Sequence, residues 1–189
     1  SGGVALNVVA NERIKQSNYF KNIILNGSVE DNGTAIGAGI AANLNMGLDR
    51  KFSIIKDYYG RLYNKDEIME AVLKSNLCYK VLPQNELYST AAEMIKQEKV
   101  FGWFQGRSEF GPRALGNRSI FANPFSTSTK YLLDQLMKCR DRYRPYAPVV
   151  IEEQANQFFD INDSSPVMMR NVKVLDKRLL SIKHVDGTA

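Results

Sequence analysis

Residues 102–120 constrain the fold of this chain more than any other part of its sequence. The apolar run 100–104 predicts a β-strand, and glycines follow it at positions 106, 111 and 116. An arginine stands within two residues of each glycine, namely Arg107, Arg113 and Arg118. Glycine lets the backbone approach a ligand closely, and the arginine guanidinium matches the oxygens of phosphate or carboxylate. This glycine–arginine segment therefore predicts a strand followed by an anion-binding loop.

The positive charge of the chain is concentrated in the same region. All 189 residues together carry a net charge of +5, and residues 103–144 contain eight lysines and arginines against three acidic residues. Within this region the basic segment, residues 138–144, has a basic residue at every second position: Lys138, Arg140, Arg142 and Arg144. An extended backbone would place all four on one face, where a phosphate or polyphosphate would bind them. A solvated, charged edge strand is the alternative.

Composition and motifs argue against several classes of protein. The chain is 44% hydrophobic and 24% charged, an ordinary globular composition, and no apolar run is long enough to span a membrane. A single histidine, His184, argues against a Cys/His zinc site and a catalytic triad, and no Walker A motif is present. His184 either contacts a ligand or has a structural role. Cys78 and Cys139 lack CxxC spacing and predict buried or free thiols in a cytoplasmic protein.

The remaining sequence predicts an α/β (α+β) fold. Helices are predicted at 35–46, from a capping box at Asn64, from Asn85 or Ser89 to about residue 99, and at 129–137. Strands are predicted at 22–25, 78–82, 100–104, 117–122 and 146–151. Residues 161–172 predict a loop that is mobile unless a ligand or a domain covers it. The alternation of helices and strands with short connections favours a sheet flanked by helices.

Two segments near the start of the sequence add candidate ligand contacts. Gly2 and Gly3 precede a helical pattern, and the backbone N–H groups at a helix start can bind phosphate; a plain tight turn is the alternative. Asp31 lies between the strand predicted at 22–25 and a helix of small residues, where open α/β sheets place ligands. The alternative for Asp31 is an N-cap of that helix.

Residues 104–120, with the sequence FQGRSEFGPRALGNRSI, resemble the signature of the O-carbamoyltransferases of the nodulation and antibiotic-tailoring type, the NodU/CmcH family. Residues 138–148 are similar to a second block of that family, with Asp141, Tyr143 and Tyr146 in place of a glutamate and two phenylalanines. Residues 184–189 match a third block, and residues 1–7 and 31–34 match the end of the family's first domain. The resemblance covers nearly the whole chain, which begins and ends inside motifs and is therefore expected to be a fragment.

The resemblance implies a division of labour between two domains. Residues 1–48 would be the C-terminal strand and helix of an actin-like ATPase domain, 49–62 a linker, and 63–189 a YrdC-like domain, truncated at its end, with a twisted mixed sheet and flanking helices. The YrdC-like domain would convert carbamoyl phosphate and ATP to carbamoyl adenylate. The actin-like domain would transfer the carbamoyl group to a substrate hydroxyl with the help of Fe(II) or a similar divalent metal, for which Asp31 would be one ligand. The fragment alone is expected to lack complete transfer activity.

The same resemblance implies a set of site residues. Arg113, Lys138 and Arg144 would be catalytic, because they would hold carbamoyl phosphate and the ATP phosphates. The residues expected to contact these ligands are Gly2, Gly3, Asn7, Arg107, Asn117, Arg118, Ser119, Arg140 and His184. The expected partners are carbamoyl phosphate, ATP, a hydroxyl acceptor and the N-terminal part of the same protein, with no membrane and no nucleic acid. The alternative is a basic RNA- or nucleotide-binding YrdC-like module without transferase activity.

Overall fold

The computed structural model of the protein describes residues 2–48 and 57–189. The described residues form six α-helices and two β-strands: α1 (Val8–Gln16), α2 (Asp31–Asn45), α3 (Lys65–Lys74), α4 (Gln84–Lys96), β1 (Phe101–Phe104), β2 (Arg118–Phe121), α5 (Thr127–Leu132) and α6 (Ala155–Phe158). Short 3₁₀ turns lie at Gly3–Leu6 and Glu152–Gln154, and a π-helical turn lies at Leu133–Met137. The predicted α+β class is confirmed. Most of the predicted linker, residues 49–56, lies outside the described residues.

The two strands form an antiparallel pair and lie at the two ends of the glycine–arginine segment. Phe101 lies opposite Phe121, and Phe104 lies opposite Arg118. The ring of Trp103 packs against that of Phe121, with centroids 5.9 Å apart. The strands predicted at 100–104 and 117–122 are therefore confirmed. Residues 105–117, called the connecting loop below, join their neighbouring ends.

The strands predicted at 22–25, 78–82 and 146–151 are wrong. The structure gives none of these segments a β-ladder. One apolar side chain in each segment is largely exposed, with Ile24 at 85%, Val81 at 64% and Val149 at 76% of full exposure. A short apolar run becomes a strand only where a neighbouring strand accepts its backbone hydrogen bonds, and the described residues provide no such neighbour here. The sheet is consequently smaller than the mixed sheet that was expected.

The helices follow the sequence more closely, with shifts at their ends. Asn64 and Glu67 form the predicted capping box of α3, since each side chain accepts a hydrogen bond from the backbone N–H of the other. Helix α2 begins at Asp31, four residues earlier than predicted, and Glu30 occupies its N-cap position. The interpretation of Asp31 as the N-cap is therefore wrong by one residue. Helix α5 does not continue regularly to residue 137, because its last turn widens into the π-helical turn.

A small core lies in the last third of the chain. Its buried side chains are Phe159, Val172, Val174, Leu179 and Ile182. Residues 172 and 189 exchange two backbone hydrogen bonds of 3.0 and 2.9 Å, which fold the end of the chain back onto this core. Tyr146 packs against the core and links it to the basic segment. None of the helices in the described part of the chain is long and apolar enough to cross a membrane.

Helix α1 covers the loop predicted at 161–172. Arg170, which is 9% exposed at its side chain, donates from Nε and Nη2 to the two carboxylate oxygens of Glu12 at 2.5 and 3.0 Å. Asn11 donates to the carbonyl oxygen of Met169 at 3.4 Å, and Lys15 forms an ion pair with Asp163. Ion pairing with Glu12, opposed by burial and aided by Asp163, raises the pKa of Arg170 above its ordinary value. The first segment of the chain is therefore fixed to this loop.

Candidate functional site

Arg113, in the connecting loop, contacts residues 2–7 at the start of the chain, called segment 2–7. Its Nη2 donates to the carbonyl oxygen of Leu6 at 3.5 Å. Its Nε is buried and has no hydrogen-bond partner among residues 2–48 and 57–189. A buried donor without an acceptor is costly, and a ligand oxygen would remove that cost. The structure thus brings Arg113 next to segment 2–7, which contains three of the predicted ligand contacts.

Segment 2–7 has an open surface at its glycines. Gly2 has a φ of +78°, in the left-handed region, and its N–H donates to the carbonyl oxygen of Val29 at 2.6 Å. No heavy atom lies within 4 Å of the position that a Cβ would take on Gly2 or Gly3. Asn7 is the N-cap of α1, and its side chain accepts the N–H of Ala10 at 3.0 Å. The segment forms a tight turn that still has room for a ligand, so both interpretations stay open.

The backbone of the connecting loop is organised by its own carboxylate, Glu109. One oxygen of Glu109 accepts the N–H groups of Leu115 at 2.7 Å, Asn117 at 2.8 Å and Arg118 at 3.4 Å. Burial disfavours the charged form of Glu109, but the N–H groups of Asn117 and Leu115 outweigh it, and the pKa of Glu109 lies below its ordinary value. Backbone donors that suit a phosphate therefore bind Glu109. Sequence reasoning missed this role, for which the only signal was one acidic residue among three arginines.

Arg118 is held by the backbone at the mouth of the same loop. Its guanidinium donates to the carbonyl oxygens of Gln105 at 2.7 Å and Gly106 at 3.2 Å. It also lies over the ring of Phe104, with the guanidinium carbon 3.4 Å from the ring centroid. These contacts stabilise the loop entrance. The predicted contact of Arg118 with a ligand stays a prediction.

The other predicted residues of the loop also contribute to its shape. Arg107 donates from Nη1 to the carbonyl oxygen of Gly60 at 3.0 Å. The side-chain amide of Asn117 donates to the carbonyl oxygen of Arg107 at 2.7 Å, and Ser119 Oγ accepts the N–H of Gly116 at 2.9 Å. Gly116 has a φ of +97°, where a side chain would be strained. Ligand contacts by Arg107, Asn117 and Ser119 stay predictions.

A buried aspartate, Asp57, joins the connecting loop to the segment that precedes α2. Asp57 is 3% exposed, and its Oδ1 accepts the hydroxyl of Ser28 at 2.7 Å. Its carbonyl oxygen accepts the N–H of Phe110 at 2.6 Å. A Cβ on Gly27 would overlap Oδ2 of Asp57 and lie 2.7 Å from its carboxyl carbon, so only glycine fits there. Sequence reasoning missed this junction because its residues are far apart in the chain.

Asp31, the predicted metal ligand, lies exposed at the start of α2. Its neighbour Asn32 donates to the carbonyl oxygen of Phe110 at 2.9 Å, which ties the start of the helix to the connecting loop. In residues 2–48 and 57–189, no group of three or more His, Cys, Asp or Glu side chains could hold a metal ion. A lone carboxylate does not fit a complete iron site, which needs several ligands. The assignment of Asp31 as a metal ligand therefore stays a prediction.

The basic segment forms a turn, so the prediction of an extended strand is wrong, as is the edge-strand alternative. Cys139 has a φ of +46°, and the N–H of Arg144 donates to the carbonyl oxygen of Asp141 at 3.3 Å. The N–H of Lys138 donates to the carbonyl oxygen of Leu133 at 2.8 Å, which continues the π-helical turn. The alternation of basic residues therefore does not place all of them on one face. Both Cys78 and Cys139 are free and exposed, which confirms free thiols and not buried ones.

Asp134 lies at the centre of this basic region and is 1% exposed. Its Oδ1 accepts the hydroxyl of Tyr146 at 2.8 Å and Nε of Arg140 at 3.4 Å, and its Oδ2 accepts Nζ of Lys130 at 2.9 Å. Burial opposes ionisation, but the donors Lys130 and Tyr146 outweigh it and hold the pKa of Asp134 below its ordinary value. Burial, together with the bond to Asp134, raises the pKa of Tyr146. Sequence reasoning missed Asp134, for which the only signal was its spacing of four residues from Lys130.

An open cleft of about 650 Å³ lies beside Asp134. It is lined by Asp134, Gln135, Cys139, Arg140, Asp141, Arg142 and Arg144. Lys138 and Arg144 are exposed, and their side chains form no hydrogen bond or ion pair with any described residue. Arg142 lies 5.0 Å from the ring centroid of Tyr131. Arg144 lines the cleft and Lys138 does not, so Arg144 gives the cleft a cation without an ion-pair partner among the described residues, as an anion site requires.

His184 lies in a tight turn near the end of the chain. Its N–H donates to the carbonyl oxygen of Thr188 at 2.8 Å, and its carbonyl oxygen accepts the N–H of Gly187 at 3.1 Å. The half-buried imidazole forms no hydrogen bond within the described part of the chain. A ligand contact and a structural role both stay open. In that same part of the chain, no hydrogen bond, ion pair or ring contact joins the connecting loop to the basic segment or to His184.

Comparison with known proteins gives the family. The family model described as the carbamoyltransferase C-terminus matches residues 92–189, and the one described as the carbamoyltransferase N-terminus matches residues 1–40. The first of these matches alone includes both the connecting loop and the basic cleft. The chain belongs to the carbamoyltransferase family.

Several curated proteins are similar along the entire chain. The nodulation protein NolNO of Sinorhizobium fredii is 38% identical over 197 residues, which cover 100% of this chain and 29% of that protein. Nodulation protein U of Azorhizobium caulinodans is 32% identical, with 100% of this chain and 32% of that protein covered. The 3'-hydroxymethylcephem-O-carbamoyltransferase of Streptomyces clavuligerus is 29% identical, with 100% and 35% covered. The chain spans about a third of the length of the curated relatives it matches.

Proposed function

We propose that this chain is part of an O-carbamoyltransferase that acts in two steps. In the first step, water hydrolyses carbamoyl phosphate to carbamate and phosphate, an oxygen of the carbamate attacks the α-phosphorus of ATP, and pyrophosphate leaves, which gives carbamoyl adenylate. In the second step, an acceptor hydroxyl attacks the carbonyl carbon and AMP leaves. Family membership supports carbamoyl transfer, and the name of the cephem relative supports a hydroxyl acceptor. In this proposal residues 63–189 form the YrdC-like, adenylate-forming domain, and residues 1–48 end the actin-like transfer domain.

The observation that carries the proposal is the position of Arg113. It contacts Leu6 of segment 2–7, whose two glycines are open, and its buried Nε–H has no acceptor among the described residues. Carbamoyl phosphate and ATP are both anionic, so a fixed cation must offset their repulsion. A guanidinium stays protonated at all working pH values and can hold phosphate without acting as an acid. Arg113 is thus suited to bind a phosphate between the two parts of the chain.

The cleft beside Asp134 is suited to hold a second phosphate group. Arg144 lines the cleft, and neither it nor the exposed Lys138 outside the lining forms an ion pair with a carboxylate of the described residues. Repulsion between uncompensated cations is relieved when a phosphate binds them. We assign the phosphate of carbamoyl phosphate to this cleft. Because ATP is a cytoplasmic metabolite and the cysteines are free, we also assign the reaction to the cytoplasm.

The test measures AMP release from ATP in the presence of carbamoyl phosphate, in the protein that carries this chain. Arg113→Ala is expected to lower the rate by about 100-fold or more, the usual loss when one preorganised donor is removed from an active site. The matched control is Arg178→Ala, since Arg178 is 75% exposed, pairs with Asp176 and lies over the ring of Phe125, away from the connecting loop. Equal turnover of wild type and Arg113→Ala would refute the assignment of Arg113.

A basic RNA- or nucleotide-binding module is the second candidate. It is favoured by the exposed side chains of Arg142, Tyr143 and Arg144, which combine positive charge with an aromatic ring. Binding of RNA through phosphates would weaken steeply with salt, with a slope near the number of phosphate contacts. Calorimetry separates the candidates, because an enzyme site binds ATP or carbamoyl phosphate saturably and loses that binding when one arginine is replaced.

A further inference from the structure

The π-helical turn Leu133–Met137 places a buried carboxylate under the cleft of the basic segment. Single π-turns within α-helices occur frequently at functional sites, because the extra residue redirects the side chains that follow. Here the turn carries Asp134, and the chain reverses at Cys139 immediately after it. The N–H of Arg140 donates to the carbonyl oxygen of Asp134 at 2.9 Å, so the backbone also returns to this residue.

Asp134 receives its donors from three directions. Lys130 reaches it from the preceding helix α5, Arg140 from the basic segment, and Tyr146 from the core side. Two of these donors hold backbone as well, since Lys130 donates to the carbonyl oxygen of Arg144 at 3.1 Å and Arg140 to that of Pro145 at 3.2 Å. Residues 140–146 are therefore wrapped around one carboxylate.

The charges of this region divide into two groups. Asp134 neutralises Lys130 and Arg140, whose side chains are 22% and 19% exposed. Lys138 and Arg144 are exposed and have no carboxylate partner among the described residues. A buried carboxylate survives only when it is well paired, and removing it would leave its former partners as unpaired cations. Asp134 thus holds Lys130 and Arg140 in place, whereas Lys138 and Arg144 remain available to a ligand.

We propose that Asp134 is a positioning residue for phosphate binding in the cleft. By accepting hydrogen bonds from Lys130, Arg140 and Tyr146, it holds residues 140–146 in the turn that presents Arg144 to the phosphate. Arg140 then acts through the shape of the turn, and the direct contact comes from Arg144, which lines the cleft. The identity of the phosphate as that of carbamoyl phosphate rests on the proposed function.

The test compares steady-state kinetics of Asp134→Asn and wild type in the protein that carries this chain. Asn keeps the shape but loses the charge, and its NH₂ group faces a donor. We expect the KM for carbamoyl phosphate to rise by about tenfold or more, as follows from losing hydrogen bonds to charged groups, with a smaller change in kcat. Asp134→Glu should recover part of this loss. The matched control is Asp176→Asn, since Asp176 also pairs with an arginine but lies outside the cleft.

A double variant tests whether Asp134 acts through Arg144. The fold-loss in kcat/KM of the double variant should be smaller than the product of the fold-losses of Asp134→Asn and Arg144→Ala. The reason is that Arg144 already contributes less to phosphate binding once Asp134→Asn has misplaced it. A multiplicative result, or an unchanged KM in Asp134→Asn, overturns the proposal. If Asp134→Asn does not fold, Tyr146→Phe removes one hydrogen bond without changing charge, and the proposal then requires a raised KM in that variant.

Binding of inorganic pyrophosphate, measured by calorimetry, separates this proposal from the proposed function. A wild type that binds pyrophosphate and an Asp134→Asn variant that binds about tenfold more weakly or worse would support the positioning role even if no AMP were released, in which case the proposed reaction alone would fail. Equal pyrophosphate affinity of the two proteins would overturn the positioning role whatever the reaction proves to be.

Discussion

Two glycines of helix α2 are expected to respond in opposite ways to the same substitution. A Cβ on Gly33 would overlap the carbonyl oxygen of Ser28 and lie 2.8 Å from its carbonyl carbon. A Cβ on Gly37, one turn further along, would have no heavy atom within 4 Å. Both positions are helical, Gly33 in the first turn of α2 and Gly37 further inside it, so alanine is intrinsically favoured over glycine at both. The difference between them therefore isolates the steric cost.

The magnitude follows from two terms. Replacing a helical glycine with alanine stabilises a protein by about 1 kcal/mol when there is space. At Gly33 the new methyl group meets backbone, which cannot turn aside, and overpacking of this kind costs about 3 kcal/mol, the upper end of its usual range. The same shift would strain the hydrogen bond from Ser28 to Asp57. We expect Gly33→Ala to lower the free energy of unfolding by about 2 kcal/mol and Gly37→Ala to raise it by about 1 kcal/mol.

Urea unfolding followed by tryptophan fluorescence measures both values. The chain has one tryptophan, Trp103, which lies in β1 and not in α2, so neither substitution alters the probe directly. Gly39→Ala is a second control, because its Cβ would also meet nothing within 4 Å. If Gly33→Ala and Gly37→Ala changed the free energy of unfolding equally, α2 would not pack against Ser28 as described.

Two further predictions concern charged groups. Arg170→Met leaves the buried Glu12 with Gln16 as its donor among the described residues and should lower the free energy of unfolding by about 3 kcal/mol. Adding Glu12→Gln to this variant should recover much of the loss. Strictly additive free energies in this double-mutant cycle would contradict a buried pair. The pKa of Glu109 is lowered in the folded chain, so its stabilisation is fully present above the unfolded pKa of about 4.3 and is lost as pH falls through the lower folded value. The urea midpoint of unfolding, measured from pH 7 to pH 3, should therefore decrease once the pH is below about 4, and it should decrease less in Glu109→Gln. Identical pH profiles of the two proteins would speak against the loop contacts of Glu109.

Local signals in the sequence were sufficient where the structure itself is local. The capping box at Asn64 involves residues three apart, and the strands around the connecting loop are adjacent along the chain, so both were predictable. The strand predicted at 78–82 depended on a partner elsewhere, which a local apolar pattern cannot supply. The α+β class followed from the helices and the one hairpin. The total extent of the sheet did not.

In the candidate site, too, the local features were predictable and the features that depend on the folded chain were not. Arginines near glycines predicted the connecting loop as a site, and Arg113 lies beside segment 2–7. The turn of the basic segment was not predictable, because it depends on the left-handed backbone of Cys139 and on the burial of Asp134, and neither leaves a pattern in the sequence. Glu109 was also missed, since its role depends on backbone N–H groups that converge only after the loop has folded.

The attachment of α1 to residues 163–170 has a mechanical consequence. Helix α1 is held to residue 170 by the bidentate contact of Glu12 with Arg170. Among the described residues, segment 2–7, which precedes α1, meets the connecting loop through one hydrogen bond of 3.5 Å, from Arg113 to Leu6. A hydrogen bond of that length is at the limit of the usual range. If these parts of the chain were pulled apart, the Arg113 contact would break first, and α1 would move together with residues 163–170. In the proposed function, a phosphate that bound the Arg113 guanidinium would therefore have only this long hydrogen bond to displace among the described residues.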